Sequence, residues 1–308
     1  MKQLNTIWKN CRLFLFAGLV FISACEKDFV VPEQAKLKGL VVNSLFNDLN
    51  PVSVYVSDSY GSAGTNNVTN IYDARVELYE DGVFAELLGY VPSDSLNNSG
   101  QYLSKLTPQK GKKYSIVVSH PKLGVARATD SIPVQPLISS NELVQYPDSN
   151  NRLRDAVVKF KFKDDGNAEN FYRINVYYYG KGANIHPNGD TVIYERSNWL
   201  RPEPLVPLAD TCRDLGIFLL FSDKTFNGIE KEVNLALNDV PWASNFDQEW
   251  IWVELHTVSK THYEYFKTLN QYRQTNYDSE PVHVYSNVQG GYGIFTGEQI
   301  QTMMITVK

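Results

Sequence analysis

The stretch Ala74-Arg75-Val76-Glu77-Leu78-Tyr79-Glu80-Asp81-Gly82 decides the fold class of this chain. Val76 and Leu78 alternate with Arg75, Glu77 and Tyr79, a period of two that sends apolar and polar side chains to opposite faces of a strand. Asp81-Gly82 follows at once. That pair favours a two-residue hairpin turn, because both residues tolerate the positive φ that such a turn demands. Residues 84–90 then read as the returning strand.

The same pattern extends outward. Val52, Val54 and Val56 alternate with Ser53, Tyr55 and Ser57, and residues 37–45, 51–57, 113–120 and 125–132 each have the length and composition of one strand. Residues 60–70 and 91–100 are polar, glycine- and asparagine-containing loops. Aromatic residues make up 13% of the chain, with 19 Tyr, and such residues suit a pleated, half-buried surface better than a helix. Short strands separated by Gly, Asn, Asp and Pro clusters give a mainly β chain with the rhythm of a sandwich or barrel.

Residues 133–151 change character. Three prolines with several Ser and Asn predict a linker or a long crossover, so we expect one domain over 37–138 and a second, β-rich domain over 139–308. In the second half, strands are predicted at 157–162, 171–179, 217–222, 231–237, 249–256, 282–287 and 299–307. One helix interrupts them near 259–275, where Tyr265, Phe266, Leu269 and Tyr272 recur at three- and four-residue steps. Thr261 and Glu264 have capping-box spacing, and Ser259 is a competing start.

The N-terminus reads as an export signal over residues 1–24. Lys2, Lys9 and Arg12 precede an apolar run over 13–22, which is too short to span a membrane, since that takes about 20 apolar residues. Ile22-Ser23-Ala24-Cys25 then has the form of a lipobox, with Cys25 the residue to be lipidated. The alternative is an ordinary secretory signal with a cysteine at its end. Two or three acyl chains on Cys25 would anchor the protein stably, where one would not. Residues 25–36 would be a tether, and its Glu26-Lys27-Asp28 is either a surface-sorting signal or a solvated spacer. Loss of three of the 29 basic residues leaves 26 against 34 acidic, a net charge of −8. Such a body lacks the clustered Lys and Arg that nucleic acid or an anionic membrane surface requires.

No catalytic motif emerges. There is no Gly-x-Ser-x-Gly, His-Glu-x-x-His or Cys-x-x-Cys. His256 and His262 are the closest histidines, yet their spacing across a strand–helix junction is not a usual ligand spacing. Asp164, Asp165, Asn167 and Glu169 form a turn without the spacing of a calcium loop. Cys212 reads as a small buried hydrophobe. We therefore expect no enzyme activity, cofactor or metal. Gly290, Gly291, Gly293 and Gly297 lack the Lys of a phosphate loop and predict a sharp turn or bulge seating Tyr292 and Phe295 in the core. Tyr177-Tyr178-Tyr179 must point to alternating faces, and exposed rings among these and Trp199, Trp242, Trp250 or Trp252 would suit sugars, peptides or a partner protein.

Several blocks in order carry a family resemblance. Leu40-Val41-Val42-Asn43-Ser44-Leu45-Phe46, the stretch 74–82, Asn170-Phe171-Tyr172-Arg173, Glu280-Pro281-Val282-His283-Val284-Tyr285-Ser286-Asn287-Val288 and Gly290-Gly291-Tyr292-Gly293-Ile294-Phe295 resemble the Bacteroidetes domain-of-unknown-function 4249 family (DUF4249). The resemblance implies an N-terminal immunoglobulin-like or transthyretin-like sandwich. It also implies a lipid-anchored outer-membrane protein, facing the surface or the periplasm, that partners a TonB-dependent transporter in nutrient uptake. A structural or adhesion lipoprotein with no transport role is the alternative. The family defines no functional residues, so the ligand is left open.

Overall fold

The computed structural model describes residues 39–59, 69–93, 100–147, 153–185, 189–214, 217–238, 240–241, 246–275 and 282–307. The export signal, the tether and the lipobox residues Ile22, Ser23, Ala24 and Cys25 lie outside these, as do Trp242, His186, Glu280 and Pro281.

The first sandwich forms from two sheets. One carries β1 (Leu40–Phe46), β2 (Ser53–Asp58), β5 (Gly89–Val91) and β6 (Gln101–Leu103), in the order β1-β2-β6-β5. The other carries β3 (Arg75–Glu80), β4 (Val83–Leu87), β7 (Lys113–His120) and β8 (Gly124–Ser131), in the order β4-β3-β7-β8. Alternation fixes which side of each strand turns inward. Leu40, Val42 and Phe46 meet Val76, Leu78, Tyr114, Ile116 and Val118 in one core, all of them buried. The β3–β4 turn is the predicted one, with Asp81 at φ 49 and Gly82 at φ 81.

The second sandwich repeats the plan at larger scale. Its smaller sheet is β13-β16-β10-β9, from β9 (Leu137–Pro147), β10 (Leu153–Lys163), β13 (Pro202–Pro204) and β16 (Glu230–Leu237). Its larger sheet runs β14-β15-β11-β17, from β11 (Phe171–Ile185), β14 (Ala209–Asp214), β15 (Phe218–Ser222) and β17 (Gln248–Val258), with β12 (Thr191–Leu200) paired to β11. Val158, Phe160, Phe162, Ile174, Tyr178, Leu235, Ile251 and Val253 close this second core. The segment read as a linker therefore contains β9, an outer strand paired with β10 from Leu137 to Pro147. Its prolines misled the reading: Pro147 stands at the end of the strand and Pro133 before it, positions where a missing N–H costs no ladder bond.

The single helix among the described residues, α1 (Lys260–Gln274), starts at Ser259, whose side chain accepts from His262 N–H; this settles the competing starts in favour of Ser259. Residues 282–288, expected as a strand, are extended but unpaired in any sheet. Their polar side chains replace a strand's backbone. Asn287 Oδ1 accepts from Phe295 N–H at 3.1 Å and its Nδ2 donates to Phe295 O at 2.8 Å, while Ser286 Oγ donates to Gly293 O at 2.7 Å.

The last strand, β18 (Gly291–Thr306), belongs to both sandwiches. Its first part lies parallel to β1, from Leu40↔Gly291 to Phe46↔Gly297, and its second lies antiparallel to β17, from Val258↔Glu298 to Trp250↔Thr306. A division of the chain at residue 138 thus leaves the first sandwich without one strand, and Phe295 and Val288 sit in the first core. Two parts of one strand serving two sheets have no signature in local periodicity, because each part alternates normally.

The glycines make this possible by close approach. A Cβ on Gly297 would lie 2.4 Å from Ser131 O, and one on Gly293, at φ 100, would lie 2.2 Å from Val42 O. Phe295 is fully buried as expected, but Tyr292 is 51% exposed. The residue alternates to the outer face, where its ring lies over Gly39. The pair Gly82→Ala and Gly297→Ala separates backbone strain from collision. Gly82 has open space around it, so the first change should cost roughly 1–2 kcal/mol of left-handed strain alone. Gly297→Ala forces backbone apart and should cost more, at least the ~1–3 kcal/mol of overpacking. Denaturant titration of both variants checks this, and equal losses would contradict the collision.

Candidate functional site

The outer face of the larger C-terminal sheet is ordered in three zones along β11 and β17. Odd-numbered residues of β11 point outward, so Arg173, Asn175, Tyr177 and Tyr179 share this face while Tyr178 turns into the core. Register places Tyr177 beside Trp252 and Trp199, and Tyr179 beside Trp250.

The aromatic zone is continuous. Tyr177 stacks on Trp252 with centroids 5.6 Å apart and meets Trp199 edge-on at 5.1 Å. Tyr179 packs on Trp250 at 5.5 Å, and Trp199 meets Phe218 edge-on at 5.4 Å. Trp199 is 53% exposed and Met304, opposite Trp252, is 55% exposed. Such contacts hold the rings in place before any partner arrives, and rigid aromatic area orders at low entropic cost. Burial pushes the Tyr177 phenol up to about 12, with the Glu254 carboxylate adding to it. The Tyr179 phenol is also raised, by its hydrogen bond to Glu195 and then by burial. Both rings are therefore neutral hydrogen-bonding groups at ordinary pH.

Next along the sheet is a belt of buried charge. His256 lies between two carboxylates, Nδ1 3.0 Å from Glu298 Oε2 and Nε2 3.2 Å from Glu254 Oε2. Asn175 Nδ2 donates to Glu254 at 3.0 Å, and Arg173 lies 3.8 Å from Glu298 and 3.5 Å from His262 Nε2. Arg173 also sits 5.1 Å over the Phe218 ring, tying the belt to the aromatic zone. Burial pushes the Glu298 carboxyl up, but Arg173 and His256 outweigh it and hold it down to about 2. Glu254 is likewise lowered against burial, by His256 and Asn175. Burial, followed by the Arg173 charge, drives the fully enclosed His262 imidazole down to about 3, so it is neutral.

The third zone is apolar and lies under α1. Phe171, Leu220, Val258 and Tyr263 form it, with Cys212 and Phe266 against them. Cys212 thus packs as a small hydrophobe. Arg173, His256, His262 and Glu298 are each less than a tenth exposed, whereas the Glu254 side chain is 20% exposed. Among the described residues no group of three or more His, Cys, Asp and Glu has the geometry to hold a metal ion. Asp164 is spent on Tyr172 Oη and Gly228 N–H rather than on a cation.

Of the residues singled out in the sequence, Tyr177, Tyr179, Trp199, Trp250 and Trp252 come together on one face, and His256 and His262 meet in the belt. His120 lies elsewhere, 3.3 Å from Asp73. Phe218, Met304, Arg173, Glu254 and Glu298 went unnoticed. Alternation alone puts Arg173 and Asn175 on the face of Tyr177, but only strand order brings Glu298 to them.

Two β-sandwiches joined by one strand, with an aromatic outer face and a largely buried charged belt, define a mainly β protein. The sequence profile of the domain of unknown function DUF4249 matches residues 26–303, and the chain belongs to that family. No curated protein matches it. Among solved structures, the crystal structure of a collagen adhesin from S. aureus aligns at 7% identity over 88% of this chain and 95% of that one, with a TM-score of 0.20, too low to carry an argument. No helix among the described residues is long and apolar enough to cross a membrane.

The belt predicts an acid-sensitive fold. His262 ionises at 6.5 when unfolded but near 3 when folded, so its contribution is complete above pH 6.5 and is lost as pH falls toward 3. Glu298 acts lower, its contribution complete above 4.5 and lost toward about 2. Denaturant midpoints should fall from pH 6.5 to 4.5, and His262→Leu should flatten that decline. Glu298→Gln should cost about 3–5 kcal/mol at neutral pH by leaving Arg173 buried and unpaired. An unchanged slope in His262→Leu would refute the assignment.

Proposed function

We propose that the protein is a lipid-anchored accessory of the outer membrane that docks on a TonB-dependent transporter and assists its uptake of a nutrient. The outward aromatic face of Tyr177, Tyr179, Trp199, Trp250 and Trp252 carries this reading. It is flat, ordered in advance and rich in the residue types that dominate protein–protein contacts. The lipobox at Cys25 supports the membrane placement. The reading is non-enzymatic. The densest group of titratable residues is largely buried, and its members are paired with one another.

Detergent extraction of the intact lipidated protein from its native membrane, followed by affinity capture and mass spectrometry, tests the proposal. One transporter should be recovered in near-equal amount. Trp199→Ala combined with Met304→Glu should lower that recovery about ten-fold or more, the effect of losing a central contact, while circular dichroism shows the protein still folded. Preparations free of any transporter under crosslinking would sink the proposal and favour the structural or adhesion role.

A further inference from the structure

A second surface lies at the junction of the two sandwiches. A cleft of about 530 Å³ is bounded by Arg127, Ala128 and Thr129 of β8, by Thr261 in the first turn of α1, and by residues 285–289. That volume is in the range of small-molecule sites, ~300–1,000 Å³. Its walls are fixed by backbone pairing: Arg127 N–H donates to Gln289 O at 2.9 Å and Gln289 N–H donates to Arg127 O at 2.7 Å. Tyr285 N–H donates to Thr268 Oγ1 at 2.9 Å, which ties the cleft to the helix.

The polar groups facing this cleft divide into two sets. Ser286 and Asn287 are spent on the backbone of β18, and Thr129 Oγ1 donates to Ser115 Oγ at 2.8 Å. Arg127, Thr261, Tyr285 and Gln289 are not spent: among the described residues their side chains have no hydrogen-bond or ion-pair partner. The acid nearest to Arg127 across β7 is Glu77, paired with Val117 as Arg127 is, and Glu77 is already held by Arg75 at 2.6 Å. Among the described residues no carboxylate lines the cleft. A protein with 34 acidic residues against 29 basic ones thus has here a cation, two hydroxyls and an amide lining one cleft, with no carboxylate among the described lining residues.

We propose that this cleft binds a small hydroxylated carboxylic acid. The Arg127 guanidinium matches a carboxylate in charge and fork geometry, and the Thr261 and Tyr285 hydroxyls and the Gln289 amide match ligand hydroxyls. Binding here requires no transporter, so its failure and the failure of the docking proposal are separate results.

Gluconate is the probe, with sorbitol as the same hydroxylated chain lacking the carboxylate. Calorimetric titration of the intact protein in mild detergent should give saturable gluconate binding and at least ten-fold weaker sorbitol binding. Arg127→Gln should lose about ten-fold or more in gluconate affinity, the worth of a charge-assisted contact, while Arg127→Lys keeps part of it. Arg127 is exposed and its backbone bridge does not depend on its side chain, so both variants retain the fold. Absence of saturable gluconate binding, sorbitol binding as strong as gluconate, or an Arg127→Gln protein equal to wild type would each overturn the proposal.

Discussion

The whole architecture turns on the carboxylate of Asp130. It stands on β8 of the first sandwich, and its Oδ2 accepts from Ser259 Oγ at 2.5 Å, from Thr296 Oγ1 at 2.7 Å and from Gly297 N–H at 3.1 Å. Three elements meet there: an outer strand of one sandwich, the N-cap of the helix and the point where β18 passes from one sheet to the other. Burial pushes the Asp130 carboxyl up, although each of these donors pulls it down. The donors explain why a charge can be tolerated at the seam, since a buried carboxylate without them would be strongly unfavourable. Ser259 serves two purposes, capping α1 and donating to Asp130, so helix start and domain junction are set by one hydroxyl.

The two kinds of burial in the molecule have different roles. Both sandwich cores are almost wholly apolar and follow from alternation, as hydrophobic burial requires no partner of particular chemistry. The belt of Arg173, Glu254, His256 and Glu298 is the reverse. It would be no more stable than an apolar layer of the same volume, but each group is expensive to leave alone. A wrong pairing of β18 with β17 would strand these charges, so the belt fixes the register of the second half of β18. The aromatic zone beside it inherits that precision, because Arg173 lies over Phe218, which in turn supports Trp199.

Much of this was legible from residues. The hairpin at Asp81-Gly82, the inward Val76 and Leu78, the strand over 113–120 and the helix, with Ser259 as one of two candidate starts, all follow from local rules. Alternation also placed Tyr178 on the opposite face from Tyr177 and Tyr179. What stayed hidden was non-local. Nothing near Gly297 announces Ser131 as its neighbour, and nothing in the short apolar run of β9 outweighs the prolines around it. The strands β12, β13 and β14 were missed for another reason: their residues are largely polar or exposed, and β12 in particular pairs only with β11, so no buried face imposes a pattern. The belt required both strand order and the position of α1, and neither is written in the spacing of His256 and His262.

The parallel pairing of β1 with β18 also orders events in time. Leu40 and Gly291 are neighbours in space across most of the length of the chain. The first sandwich, although made first, lacks the strand that covers the edge of β1 until nearly every other residue has been synthesised. Until then it presents an open edge, which is the form in which β proteins tend to join their own kind. Contacts of such long range close slowly. A chain built this way favours closing in one late step, with the two halves maturing together.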